Sequence, residues 1–145
     1  MALALTTITN SIAALSVTGL TIYDIDQIPE AALRDVPCMY PEPVEFLTNF
    51  ESEMASFQGC KWNVGYDMTY TLLYAPIGSG RGMELFSSTV ALAFLVVDAV
   101  TAIQSVTGAV TLKFVSISTP GPIPDPAGNP FFGARITFRA LEFVN

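Results

Sequence analysis

Histidine is missing from this sequence, and charge of either sign is scarce. With no imidazole, no Ser–His or Cys–His nucleophilic pair can form, and a zinc site built on histidine is excluded. The only cysteines, Cys38 and Cys60, lack CxxC spacing and read as buried, reduced thiols. Six basic residues, Arg34, Lys61, Arg81, Lys113, Arg135 and Arg139, are scattered against 13 acids, for a net charge of −7. Gripping nucleic acid by counterion release needs clustered Lys and Arg, so that class is excluded. An acidic surface can still let DNA slide past, because it repels phosphate.

What remains is largely apolar: 51% of the 145 residues are hydrophobic and 13% are charged. Soluble domains carry about 25% charged residues. A chain of single-domain length with so little charge cannot easily cover its own surface. It either enters a membrane or hides apolar surface against other subunits.

The run from Thr89 to Ile103 decides between these. It is about fifteen residues long where a span needs roughly twenty, and it contains Asp98. No Lys or Arg cluster flanks it to set an orientation. Glu84, Ser88, Ala91, Asp98, Ala102 and Ser105 fall near one stripe at helical spacing. Leu85, Phe86, Val90, Phe94, Val97, Val100 and Ile103 occupy the rest. The pattern predicts a helix buried on most sides, the core helix of a soluble oligomer. The N-terminus has no basic region and does not read as a secretory signal.

Elsewhere, Leu3 to Val17 reads as a helix with Leu5, Ile8, Ile12 and Leu15 in phase. "TGLTIYDID" reads as a turn and a short strand. Pro29 and Glu30 open a short helix that Pro37 closes. "VPCMYPEP" reads as a short strand at an edge or an end, because prolines flank it. Glu42 to Gly59 reads as irregular. Val64, Tyr66, Met68, Tyr70, Leu72 and Tyr74 alternate with polar neighbours and predict a half-buried strand. "AVTLKFVSIS" and "FFGARITFRALEF" follow as strands. In the last, Phe132, Ala134, Ile136, Phe138 and Ala140 share one face, and Phe131, Arg135, Thr137, Arg139 and Leu141 the other. This order predicts a single α+β domain over residues 1–145. Its mostly antiparallel, mixed sheet carries the N-terminal helix and the long central helix on one face.

Candidate sites are few. "IGSGRGMELF" joins a strand to a helix, as phosphate-binding loops do. However, Met83 stands where a dinucleotide fingerprint needs its last glycine, and no Gly-Lys-Ser/Thr ends the loop. Glu84 at the helix start suits the macrodipole and repels phosphate. The loop therefore reads as a turn, with a small ligand-binding domain using Gly78 to Gly82 as the minor alternative. The acid pairs Asp24 with Asp26, and Glu51 with Glu53, read as solvated surface rather than acid/base machinery. Neither an enzymatic activity nor a cofactor or metal is expected. Arg135 and Arg139 share a strand face and are expected to meet acidic groups of a neighbouring subunit. The segment Thr119 to Pro130, with Pro120, Pro122, Pro124 and Pro126 around Asp125, is too proline-rich for a tight hairpin. It is expected to project stiffly, outside the core, and to contact an adjacent subunit.

The order of these elements resembles the tail terminator and tail-completion proteins of long-tailed bacteriophages. The resemblance runs through "LTIYDID", "QIPEAALRDVPCMYPEP", the aromatic alternating strand, "ALAFLVVDAVTAIQSV" and "FVSISTPGPIPDPAGNPFFGARITFRALEFV", and so covers almost the whole chain. It implies a structural virion protein, assembled in the host cytoplasm, whose ring, a homohexamer, caps the tail tube at its head-proximal end. Its implied partners are other copies of itself, the tail tube protein and the head-to-tail connector or neck proteins. DNA passes through the ring without specific binding. A neck or head-completion protein of the same particle is the alternative.

Overall fold

The alternating run around Tyr66 becomes the strand on which the rest of the sheet is laid. The computed structural model describes residues 4–17, 19–28, 36–56, 61–77, 82–103 and 110–144. In chain order the elements are α1 (Leu5–Ala13), β1 (Thr21–Ile22), a 3₁₀ turn (Ile25–Gln27), β2 (Cys38–Pro41), β3 (Leu47–Ser56) and β4 (Lys61–Pro76). There follow α2 (Gly82–Thr101), β5 (Val110–Ile117), β6 (Gly121–Pro124) and β7 (Pro130–Val144).

The sheet runs β1-β2-β4-β7-β5, with β3 also on β4 and β6 also on β7. β2 and β3 share one edge of β4: β3 covers Lys61 to Met68 and β2 covers Tyr70 to Leu73. β5 and β6 share the far edge of β7 in the same way. All pairings are antiparallel except β1 with β2. The expected α+β architecture is thus present, with both helices against the sheet face that carries Tyr66 and Phe138.

That face is the core. Val64, Tyr66, Met68, Tyr70 and Leu72 of β4 and Ile136, Phe138 and Ala140 of β7 meet Ile8 and Ile12 of α1. Ala93, Val96, Val97 and Val100 of α2 close the layer. Tyr70 makes edge-on contacts with Phe46 and Phe138, at centroid distances of 5.5 and 6.5 Å. α1 ends at Ala13, four residues short of the expected Val17, ahead of Gly19 at φ +76°.

Five expectations need correction. The described part of the segment expected to be irregular, residues 42–56, is ordered: ten of its residues form β3. Two bulges, between Thr48 and Glu51 and between Met54 and Ser56, break its period of two. Asn49 takes a positive φ of 53°, a conformation asparagine tolerates better than most residues. Secondly, β2 is no edge, because β1 lies outside it and all four of its residues are buried. Thirdly, β4 is more than half-buried, since Gly65, Asp67, Thr71 and Leu73 on its second face are also closed off.

Fourthly, the proline-rich segment does not project. β6 pairs with Pro130 to Gly133, and Ile123 is buried with Cys38, Tyr40, Leu73 and Phe131 in a second apolar cluster. The backbone comes so close here that a Cβ on Gly133 would lie 2.1 Å from the Leu72 carbonyl oxygen. Finally, α2 is not buried on most sides. Phe86, Phe94 and Leu95 are 41%, 51% and 55% exposed. One face of the helix lies on the sheet, and no described residue closes over Phe94 and Leu95 on the other. The helix expected at Pro29, Cys60 and the glycines at 78 and 80 all lie outside the described residues.

Candidate functional site

Strand parity sends the residues between the core positions of β4 and β7 to the opposite, outer face. There Arg139 faces Asp67 across the β4–β7 pairing. Its guanidinium donates to Asp67 at 2.9 Å, to Glu51 at 3.0 Å and to the Asn49 carbonyl at 3.4 Å. Asn49 Nδ2 donates to the other Asp67 oxygen at 2.8 Å. The unusual φ at Asn49 and the ion pair are therefore one arrangement: the bulge in β3 brings the amide and Glu51 to the arginine.

Arg135 Nε donates to Glu42 at 3.2 Å, and the same carboxylate oxygen accepts from Thr71 Oγ1 at 2.5 Å. Both arginines thus point away from the helices, as the strand phase predicts. Both already have acidic partners within the same chain. Glu42, Glu51 and Asp67 were missed as their partners. Asp67 sits in phase with the polar face of β4, but only the register of β4 on β7 places it opposite Arg139.

The hairpin β6–β7 is closed by Asp125. Its Oδ1 accepts from the backbone of Ala127 at 3.0 Å and of Asn129 at 2.8 Å, and Gly128 supplies φ +87°. Asp125 is only 4% exposed, so it is not the exposed contact charge expected of it. Pro122, Pro124 and Pro126 remain exposed and Pro120 half-buried along the rim. Of the expected interface residues, the structure groups Arg135 with Pro124, Asp125 and Pro126 around one shallow depression that Tyr40 and Glu42 also line. Arg139 lies apart from them.

On the core side, Glu142 is buried at the end of β7. It accepts a short hydrogen bond from the Tyr66 hydroxyl and one of 2.7 Å from the Ala4 amide, at the start of α1. A carboxylate suits the positive end of a helix. Burial, and then the bond and charge of Glu142, push the Tyr66 hydroxyl well above the usual tyrosine range. Burial does the same at Tyr70, whose hydroxyl finds no hydrogen-bond partner among the described residues.

These groups bond to one another within the chain. Asp24 caps the 3₁₀ turn through Ile25 N at 2.7 Å, and Glu51 is engaged by Arg139. Among the described residues, no cluster of three or more His, Cys, Asp or Glu could hold a metal. The apolar surface is different. Besides the α2 face, Phe114 and Val115 lie on the open edge strand β5, and Leu141 and Phe143 emerge on the outer face of β7. Glu84–Thr101 is long and apolar enough to cross a membrane by length and composition, and one third of that stretch is buried within the chain. No protein-family model matches the chain, and no curated protein matches it.

Proposed function

We propose that this chain is a ring-forming structural subunit of a virion, a tail terminator that caps the tail tube of a long-tailed bacteriophage at its head-proximal end. The observation that carries the reading is the outward face of α2, uncovered among the described residues, where Phe94 and Leu95 are 51% and 55% exposed. A domain with 13% charged residues keeps such a face when another subunit covers it. Further support comes from the order of elements, which resembles that family over nearly the whole chain.

In this reading the subunits form a closed ring, a hexamer. The tail tube protein meets one side of the ring and the neck proteins the other. An excess of acids suits a lumen through which DNA passes without being gripped. The apolar side of α2 is an interface between subunits rather than a membrane span. It retains Glu84 and Asp98, and its other side is already packed on the sheet.

The test is the mass of the purified chain by light scattering, with negative-stain images of the same sample. A closed ring with sixfold symmetry that binds the ends of purified tail tubes and stops their growth supports the proposal. A monomer at all concentrations, or a ring that binds emptied heads but not tubes, overturns it.

A further inference from the structure

The two sides of the sheet differ in where their basic side chains lie as well as in their cover. Lys61, Lys113, Arg135 and Arg139, all the basic side chains among the described residues, project from the outer face. Lys113 pairs beside Arg139, and Lys61 lies over the Phe143 ring at 5.8 Å. α2 contains no basic residue, and its outward arc carries Glu84 and Asp98 beside Phe94 and Leu95. The outer face also carries Glu42, Glu51, Glu53 and Asp67, but three of these engage Arg135 and Arg139, so Lys61 and Lys113 are the cations outside those ion pairs, and α2 offers apolar area with acids and no cation. Leu141 and Phe143 also line a shallow cleft of about 630 Å³ with Gly65 and Arg139, open enough to receive an aromatic side chain.

We propose that the outward face of α2 docks on the outer sheet face of a second copy of this chain. Phe94 and Leu95 cover Leu141 and Phe143, and Asp98 approaches Lys113. This deepens the ring reading and rests on it. The two patches are different, so the contact is head-to-tail, the kind that closes into rings or runs on as a filament. Self-pairing of two α2 helices would instead bring two acidic stripes together with no cation between them. The helix is roughly 30 Å long. A stable interface needs roughly 800 Å² from each partner, about a tenth of the 7836 Å² the chain exposes.

Mixing two half-dead variants tests the proposal. Phe94→Ser/Leu95→Ser removes the helix patch, and Leu141→Ser/Phe143→Ser removes the sheet patch. All four side chains are at least 37% exposed, so both variants should fold, which circular dichroism and urea midpoints verify. Lys61→Glu/Lys113→Glu, at two exposed positions, serves as a second sheet-face variant. Each variant alone should raise the concentration for half-assembly by at least about tenfold. Mixed in equal amounts, the two serine variants should form a species with the mass of two chains and nothing larger. One intact contact joins them, and the two dead patches block growth.

A sheet-face variant that assembles like the unaltered chain overturns the proposal. So does a mixture of folded variants that stays monomeric, or assembly through the open β5 edge that leaves the α2 variant untouched. If the unaltered chain forms rings that neither variant weakens, this interface falls and the ring reading survives. If it forms filaments that both variants weaken, the interface stands and the ring falls. An unaltered chain that is always a monomer removes both.

Discussion

The face of the sheet beneath the helices and the face opposite are built from the same strands, β4 and β7, yet different forces hold them. Beneath the helices, Tyr66, Tyr70, Ile136 and Phe138 are fully buried and pack without an ion pair. On the outer face no helix among the described residues excludes water. Its order comes from Arg139 with Asp67 and Glu51, from Arg135 with Glu42, and from the small cluster under β6. The helix-covered face gains its stability from area removed from water, at roughly 25 cal/mol per Å². Ion pairs at the rim of the other face contribute little, and only the partly buried one should matter much. The comparison teaches that an apolar residue on α2 has two possible fates, decided by which side of the helix it occupies.

Val96 and Phe94 give the largest contrast. Val96→Asp places an unpaired charge in the closed layer and should cost more than about 4 kcal/mol, seen as loss of cooperative unfolding in urea. Phe94→Asp should leave the protomer's unfolding free energy within about 0.5 kcal/mol while abolishing assembly. Equal destabilisation by both would mean that the two sides of α2 do not differ.

The outer face should break most at Asp67. Asp67→Ala removes two hydrogen-bond partners at a site where Asp67 is 8% exposed, and should cost about 2 kcal/mol in chemical denaturation. An unchanged midpoint would show that Glu51 alone suffices for Arg139.

Alkaline pH should act through the other face. Burial is the main reason that Tyr66 and Tyr70 hold their protons above the ordinary tyrosine value of 10.0. Unfolded tyrosines ionise near that value, so the unfolded state loses protons that the folded state keeps. The stabilisation is complete below pH 10 and declines above it, by up to about 1.4 kcal/mol per pH unit for each such tyrosine. Unfolding free energies at pH 9 and pH 11 would show the slope, and a flat profile would refute it. The smallest effect is expected at Arg135→Gln. The arginine side chain is 45% exposed, so losing its pair with Glu42 should cost less than about 1 kcal/mol in urea unfolding.

Much of the fold was legible in particular residues. The alternation at Tyr66 and Tyr70, the helical spacing at Ile8 and Ile12, and the two phases of β7 each name an element and the face that it buries. β3 was not legible, because two bulges interrupt its alternation and its acids look like loop. The candidate site was less legible still. The tip of the proline-rich segment resembles a projection until Asp125 is seen to bind the amides of Ala127 and Asn129. Positions 120, 122 and 124 leave their missing amides where no ladder bond is needed, so strand pairing survives the prolines.

By itself the sequence determined the period of each strong element, the scarcity of charge and the absence of imidazole chemistry. Local repeats reflect backbone geometry, 2 for a strand and 3.6 for a helix, and need no distant partner to be read. Only the tertiary structure decided that Arg139 meets Asp67 and that Ile123 is core. It also decided that Phe94 faces water while Val97, one turn on, faces the sheet. These outcomes depend on strand register and on how many layers cover a helix, which are relations between residues distant in the chain.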